Sequence, residues 1–283
     1  MNVIKTVRQM QDYADACRES GITIGLVPTM GFLHEGHLTL MRSARERADA
    51  LVVSIFVNPT QFGPNEDFES YPRDTEQDLS LAEQEGVDAV FMPDRPELYE
   101  KEYQTYVSLE KLPDHLCGLS RPVHFRGVAT VVSKLFNIVK PHVAVFGEKD
   151  YQQLAVIRQM TRDLNFDVEI HGVPIVREPD GLAMSSRNNY LTETQRKTAL
   201  CLHQSLHAAQ KSVSEGVKDA RAIIREIEKQ ISSHPETGID YVKICDPDTL
   251  DDLLIIDRHA VMALAVKVGK TRLIDNMILN PLP

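Results

Sequence analysis

The sequence predicts an α/β protein built on a parallel, Rossmann-like sheet, with a smaller α+β domain on its C-terminal side. Three observations predict it. Short runs of β-branched and apolar residues are continuous rather than alternating, which marks strands buried on both faces of a parallel sheet. Stretches of helical periodicity separate them, as βαβ crossovers require. After residue 176 the alternation stops, and two long helical patterns give way to β-type segments.

The first strand is expected at 22–27, with Ile22, Ile24, Leu26 and Val27. A loop follows, then a helical pattern through Leu38, Leu40, Met41, Ala44 and Ala48, and a second strand at 51–57. These form one βαβ unit. A helix is expected near 74–85, ending at Gly86 as the residue after its C-cap. A strand follows at 88–92, then a helix at 127–139, a strand at 143–146, a helix at 150–164 and a strand at 167–176. Thr192 and Gln195 have the spacing of a capping box, opening a helix to about residue 215. The next helix, 217–232, carries Ile223, Ile224, Ile227 and Ile231 on one stripe. Strands are expected at 239–245 and 260–268, with Gly269-Lys270 as a two-residue hairpin turn into 271–279. The expected division is therefore a domain of residues 1–176 and a second of 177–283.

Composition limits the function. With 42% hydrophobic and 25% charged residues, the chain reads as an ordinary globular protein, and no apolar run is long enough to span a membrane. The net charge of −10 argues against nucleic-acid partners, which demand an excess of Lys and Arg. A small anionic ligand in a local cationic pocket stays compatible with it. Cys17, Cys117, Cys201 and Cys245 are scattered, with no C-x-x-C pair, so free thiols are expected. The first residues lack the apolar core of a signal peptide, so a cytoplasmic location is expected.

In a parallel sheet, ligands bind beyond the carboxyl ends of the strands. The first strand leads there into Pro28-Thr29-Met30-Gly31-Phe32-Leu33-His34-Glu35-Gly36-His37. Gly31 and Gly36 allow close backbone approach to a bound group, and the following helix N-terminus favours phosphate. His34 and His37 share one face at the helix start, where imidazole N–H groups can stabilise charge growing on phosphoryl oxygens. The i, i+3 spacing does not fit the H-E-x-x-H zinc motif. H-x-G-H resembles the ATP site of nucleotidyltransferases and class I aminoacyl-tRNA synthetases, and this resemblance implies a first domain of nucleotidyltransferase type.

Two further loops carry chemistry. Gly147-Glu148-Lys149-Asp150 ends a strand and opens a helix. Lys149 is a phosphate candidate, Asp150 serves either the ligand or the helix cap, and Gln153 can donate to a carboxylate or hydroxyl. Met184-Ser185-Ser186-Arg187 combines two hydroxyls with a guanidinium fork, and Gly181 upstream is expected to let this loop move. It resembles the K-M-S-K-S loop of the same superfamily. Gly269-Lys270-Thr271 imitates the end of a P-loop, but the upstream glycine position is Leu264, so it is read as a turn.

Together with Val57-Asn58-Pro59-Thr60-Gln61-Phe62, Tyr71-Pro72-Arg73 and His124-Phe125-Arg126-Gly127-Val128, these motifs resemble the pantothenate synthetase (pantoate–β-alanine ligase) family nearly throughout the chain. The resemblance implies that pantoate and ATP give a bound pantoyl adenylate and pyrophosphate, and that β-alanine then displaces AMP. It implies Met30, Gly31, Phe32, Leu33, His34, Glu35, Gly36 and His37 at the ATP site, with His37 catalytic and His34 assisting. Gln61 and Gln153 would hold pantoate, with Gln61 also beside β-alanine. Gly147, Glu148, Lys149, Asp150 and Val176 would continue the nucleotide site, and Met184, Ser185, Ser186 and Arg187 would close over the phosphates. It further implies Mg²⁺ with the ATP, a homodimer, and a C-terminal lid. Gln77-Asp78 stands where relatives can carry paired acids near Mg²⁺, leaving Asp78 as the single metal candidate. A nucleotidyltransferase acting on an anionic phosphate would need extra basic residues in the crevice, where Gln61 and Gln153 suit a polar acid; a non-catalytic nucleotide-binding or tRNA-docking module is disfavoured by the acidic balance and by His34, His37, Lys149 and Arg187.

Overall fold

The computed structural model describes residues 1–64 and 66–281. The chain forms two compact units. The first comprises residues 1–110, 121–148 and 153–174; the second comprises 111–120, 149–152 and 175–283.

In chain order the first unit contains β1 (Asn2–Ile4), α1 (Val7–Glu19), β2 (Ile24–Thr29), α2 (Glu35–Arg45), β3 (Ala50–Ile55), α3 (Thr75–Gln84), β4 (Ala89–Phe91) and α4 (Arg95–Leu98). After the short α5 (Leu116–Ser120), which belongs to the second unit, come α6 (His124–Val139), β5 (Val143–Gly147), α7 (Tyr151–Asp163) and β6 (Glu169–Val173). The six strands are parallel, in the order β1-β4-β3-β2-β5-β6. The apolar runs of β2 and β3 are buried, with Ile24, Leu26, Val27, Leu51, Val52 and Val53 fully enclosed, whereas Ile22, expected in the first strand, precedes β2 and is exposed. Leu38, Met41 and Ala44 of α2 pack on Val27, Leu51, Val53, Val143 and Val145. Each buried aliphatic side chain stabilises by about 1.5–3 kcal/mol. Strand order reverses between β2 and β5, the switch point where an open α/β sheet binds its ligand.

β1 and α1 have no counterpart in the sequence reading. β1 is three residues long and pairs only with β4. α1 opens on Thr6, whose hydroxyl accepts the Gln9 N–H at 3.3 Å, and buries only Met10, Ala14 and Cys17.

The second unit contains α8 (Glu193–Ser214), α9 (Ala220–Ser232), β7 (Thr237–Cys245), β8 (Ala260–Val268) and β9 (Thr271–Leu279). The three strands form an antiparallel meander covered by Leu202 and Leu206 of α8 and Ile223, Ile227 and Ile231 of α9. Ile224 sits at the edge of that stripe and is only partly buried. Thr192 and Gln195 form the expected capping box, and Val268 pairs with Thr271 across the Gly269-Lys270 turn. Residues 111–120 are tied to 149–152 through Gln152, whose side-chain amide donates to the Leu112 and His115 carbonyls and accepts the Cys117 N–H. The four cysteines are buried free thiols. Among the described residues, no helix is long and apolar enough to cross a membrane.

Candidate active site

β2 delivers the histidine loop. Gly31 and Phe32 both adopt left-handed backbone, with φ of +80° and +53°, and turn the chain into α2. His34 is the N-cap, so His37 lies in the first turn. The His34 backbone N–H donates to His37 Nδ1 at 3.3 Å. A ring nitrogen that accepts carries no proton, so neutral His37 keeps its proton on Nε2. The two imidazole centroids are 4.1 Å apart. The Glu35 carboxylate is paired with Arg42 on the exposed side of α2.

β3 delivers Gln61 through a short turn, Pro59–Gln61. The Gln61 side chain is only 7% exposed. Its Oε1 accepts from Asn58 Nδ2 at 3.0 Å, and its Nε2 donates to Met30 Sδ at 3.2 Å. Asn58 Nδ2 also donates to the Gly127 carbonyl at 3.1 Å. Each end of the Gln61 amide keeps capacity for one further hydrogen bond. Its backbone carbonyl lies 3.0 Å from His124 Nδ1 and accepts from Arg121 Nη2 at 3.3 Å. Arg121 is ion-paired with Glu66. Burial pushes the Glu66 carboxyl up, but the Arg121 hydrogen bonds and charge outweigh it and leave it below the ordinary carboxylate range. Asn58, Arg121, Glu66 and His124 therefore set the orientation of Gln61. Asn58 and His124 lay within recognisable motifs, yet no spacing rule links them to Gln61.

β5 ends at Gly147, and a 3₁₀ turn, Glu148–Asp150, runs directly into α7. Lys149 is half-buried, with Nζ 3.8 Å from Asp150 Oδ2, and Asp150 is exposed. Gln153 is half-buried in the first turn of α7, whereas its neighbour Gln152 is consumed by the backbone groups of 112–117.

In the second unit, Val176 and Met184 are joined by a backbone hydrogen bond of 3.0 Å, and Arg177 bridges to Ala183. The Val176 carbonyl thus accepts from Met184. Ser185 Oγ accepts the Arg187 N–H and caps the turn Ser186–Tyr190. Arg177 holds Asp275 with two hydrogen bonds, and Asn188 donates to Glu178 and to the Ala183 carbonyl. The sequence suggests a loop freed by Gly181. Gly181 also answers a close approach: a Cβ there would sit 2.4 Å from His203 Nδ1, on a backbone with φ of +96°. Gly181→Ala is expected to displace this turn and lower the melting temperature by several degrees, a loss of about 1–2 kcal/mol. Differential scanning calorimetry checks it; an unchanged transition would show that the His203 ring yields freely.

Asp78, the metal candidate, is 2% exposed. Its two oxygens accept the Phe32 and Leu33 N–H groups at 2.9 and 2.7 Å. Burial pushes its carboxyl up, and these two donors pull it part of the way back. Among the described residues, no group of three or more His, Cys, Asp or Glu is arranged to hold a metal. Asp78 belongs to no such group, and both its oxygens are engaged by the loop.

Comparison with known proteins completes the picture. The family model for pantoate-beta-alanine ligase matches residues 2–278. The pantothenate synthetase of Desulfatibacillum aliphaticivorans is 61% identical over 281 residues, covering 99% of this chain and 100% of the relative. The crystal structure of pantothenate synthetase from Thermus thermophilus matches with a TM-score of 0.94 at 43% identity, over 99% of this chain and 100% of that one. A pantoate-beta-alanine ligase from Francisella tularensis, complexed with beta-gamma ATP and beta-alanine, matches with a TM-score of 0.83 at 34% identity, over 98% and 97% of the two chains.

Proposed function

The chain belongs to the pantoate-beta-alanine ligase family, and on that premise we propose that it condenses (R)-pantoate with β-alanine, using ATP and releasing AMP and pyrophosphate. The observation that carries the reading is the family match over residues 2–278, with the H-x-G-H loop intact at the end of β2.

The chemistry follows from what a carboxylate needs. Its oxide is a poor leaving group, so it is first exchanged for AMP. A pantoate oxygen attacks the α-phosphorus of ATP, and the bond from that phosphorus to the bridging oxygen breaks with its electrons going to pyrophosphate. The β-alanine amine then attacks the acyl carbon; the C–O bond to AMP breaks, and the nitrogen loses a proton. No covalent enzyme intermediate is required, so the protein's tasks are placement and charge stabilisation.

Each residue has a role in this reading. Nε2–H of His37 donates to phosphoryl oxygen as charge develops, and His34 supports it. Residues 30–37, Gly147, Glu148, Lys149, Asp150 and Val176 bind the nucleotide, and Met184, Ser185, Ser186 and Arg187 serve its phosphates. The Gln61 and Gln153 amides hold pantoate, and Gln61 also serves β-alanine. Mg²⁺ would accompany the triphosphate and supply charge neutralisation there, with no protein carboxylate assigned to it. The working state is a cytoplasmic homodimer whose residues 177–283 act as the lid.

Two measurements test the proposal. In steady state, release of AMP and pyrophosphate from ATP should require both pantoate and β-alanine. Formation of ADP and phosphate would overturn it. Gln61→Ala is expected to raise the KM for pantoate about 10-fold or more while leaving that for ATP within about twofold, because a neutral amide suits a carboxylate or hydroxyl. A change confined to ATP would reassign Gln61.

A further inference from the structure

We propose that Asp78 is a positioning residue for the histidine loop: its buried carboxylate is the internal anion around which residues 31–34 fold, and it thereby sets the place of His37. The inference rests on the reading of His37 given above only for its kinetic consequence.

Four consecutive backbone donors carry the argument. The Gly31 N–H goes to Thr29 Oγ1 at 3.2 Å, the Phe32 N–H to Asp78 Oδ2 at 2.9 Å, the Leu33 N–H to Asp78 Oδ1 at 2.7 Å, and the His34 N–H to His37 Nδ1 at 3.3 Å. Thr29 in turn donates to the Ser54 carbonyl at 2.9 Å, which ties the start of the turn to β3. Successive N–H groups in left-handed or turn backbone form an anion-binding concavity. Here the anion filling it comes from the chain itself, 45 residues on, in the first turn of α3.

Local sequence alone does not hold this turn. Phe32 is not glycine, yet it stands at φ +53°, a conformation that persists only where the surroundings impose it. The two carboxylate hydrogen bonds to Phe32 and Leu33 are that imposition. The fit is close: a Cβ on Gly31 would lie 2.8 Å from Asp78 Oδ2 and 3.0 Å from Ile55 Cγ2. A buried carboxylate is a costly way to fill space, and Leu or Asn would serve packing as well. Neither offers two acceptor oxygens to two adjacent N–H groups. With both oxygens so engaged at 2% exposure, Asp78 is directed at the loop.

Asp78→Asn tests this, since it keeps the shape but replaces one acceptor with a donor. Without substrates, amide exchange at Phe32 or Leu33 should quicken about 10-fold or more, and the ¹⁵N signals of the His37 ring should shift as its Nδ1 partner moves. Amides of Leu26 and Val27 in β2 should keep their protection, which shows that the fold survives. In single-turnover assays at saturating ATP, pantoyl-adenylate formation should slow about 10–10²-fold, the signature of a misplaced catalytic group. The Mg²⁺ concentration for half-maximal rate should not move. Gly31→Ala, which crowds the same oxygen from the other side, should give the same pattern.

Parent-like exchange and rate in Asp78→Asn would overturn the proposal. So would a lost rate restored by raising Mg²⁺ or by Mn²⁺, which would assign Asp78 to the metal. The exchange and ¹⁵N readouts need no reaction. If they change while His37→Ala proves fully active, the role of His37 falls and the anchor stands.

Discussion

Replacing His37 with alanine is expected to slow adenylate formation about 10²–10³-fold, a loss of about 3 kcal/mol of transition-state stabilisation. The basis is its geometry: with Nδ1 accepting from the His34 backbone, the neutral ring keeps its proton on Nε2 in the first turn of α2. A donor of this kind matters most as charge grows on phosphoryl oxygen, so the loss should fall on kcat and leave the KM for ATP nearly unchanged. His37 is half-exposed and lies outside the apolar core, so the melting temperature should stay within a few degrees of the parent. Rapid-quench measurement of pyrophosphate release, with pantoate present, reads the step directly. An unchanged rate would remove His37 from the chemistry.

Gly127→Ala is the second large effect. Gly127 lies in the first turn of α6 against the Gln61 turn. A Cβ there would stand 2.4 Å from the Thr60 carbonyl oxygen and 2.5 Å from the Gln61 backbone nitrogen. Both are backbone atoms, so the methyl cannot be absorbed by a rotamer change. The same glycine's carbonyl accepts from Asn58, which orients the Gln61 amide. The substitution is therefore expected to move residues 58–61 as a group. Displacement on the order of 1 Å costs about 10²-fold, here in kcat/KM for pantoate, and the strain should cost about 1–3 kcal/mol of stability. Steady-state kinetics with pantoate varied, together with thermal unfolding, check both parts. Parent-like saturation by pantoate would mean that the 58–61 turn does not position the substrate.

The parallel sheet was legible because its central strands are buried on both faces and so are written as unbroken apolar runs, as in 51–53. The smaller sheet was legible from its hairpin turn and the isoleucine stripe of α9. β1 and α1 were not. A three-residue edge strand carries no periodicity, and α1 buries a narrow stripe of Met10, Ala14 and Cys17 among polar residues. α6 starts at His124, three residues before the expected 127, with no side-chain cap hydrogen bond at Val123 to signal it.

The candidate site divides the same way. Loops that follow strands could be read from the sequence, because their chemistry sits in contiguous motifs. What holds those motifs could not. The Asp78 contact to Leu33 spans 45 residues, the Asn58 contact to Gly127 spans 69, and the Arg177 contact to Asp275 spans 98. Around Gly181 and the two serines, too, the contacts are long-range. The restraints lie in Arg177, Asp275, Asn188 and the His203 ring, which only the fold brings together.

The central claim is a two-step reaction through a bound pantoyl adenylate, and isotope exchange between labelled pyrophosphate and ATP tests it most directly. With the enzyme, Mg²⁺ and ATP present, exchange should appear on adding pantoate and need no β-alanine, since the first step alone makes and remakes the phosphoanhydride. Exchange without pantoate, or only when β-alanine is also present, would contradict the adenylate and the order of steps built on it.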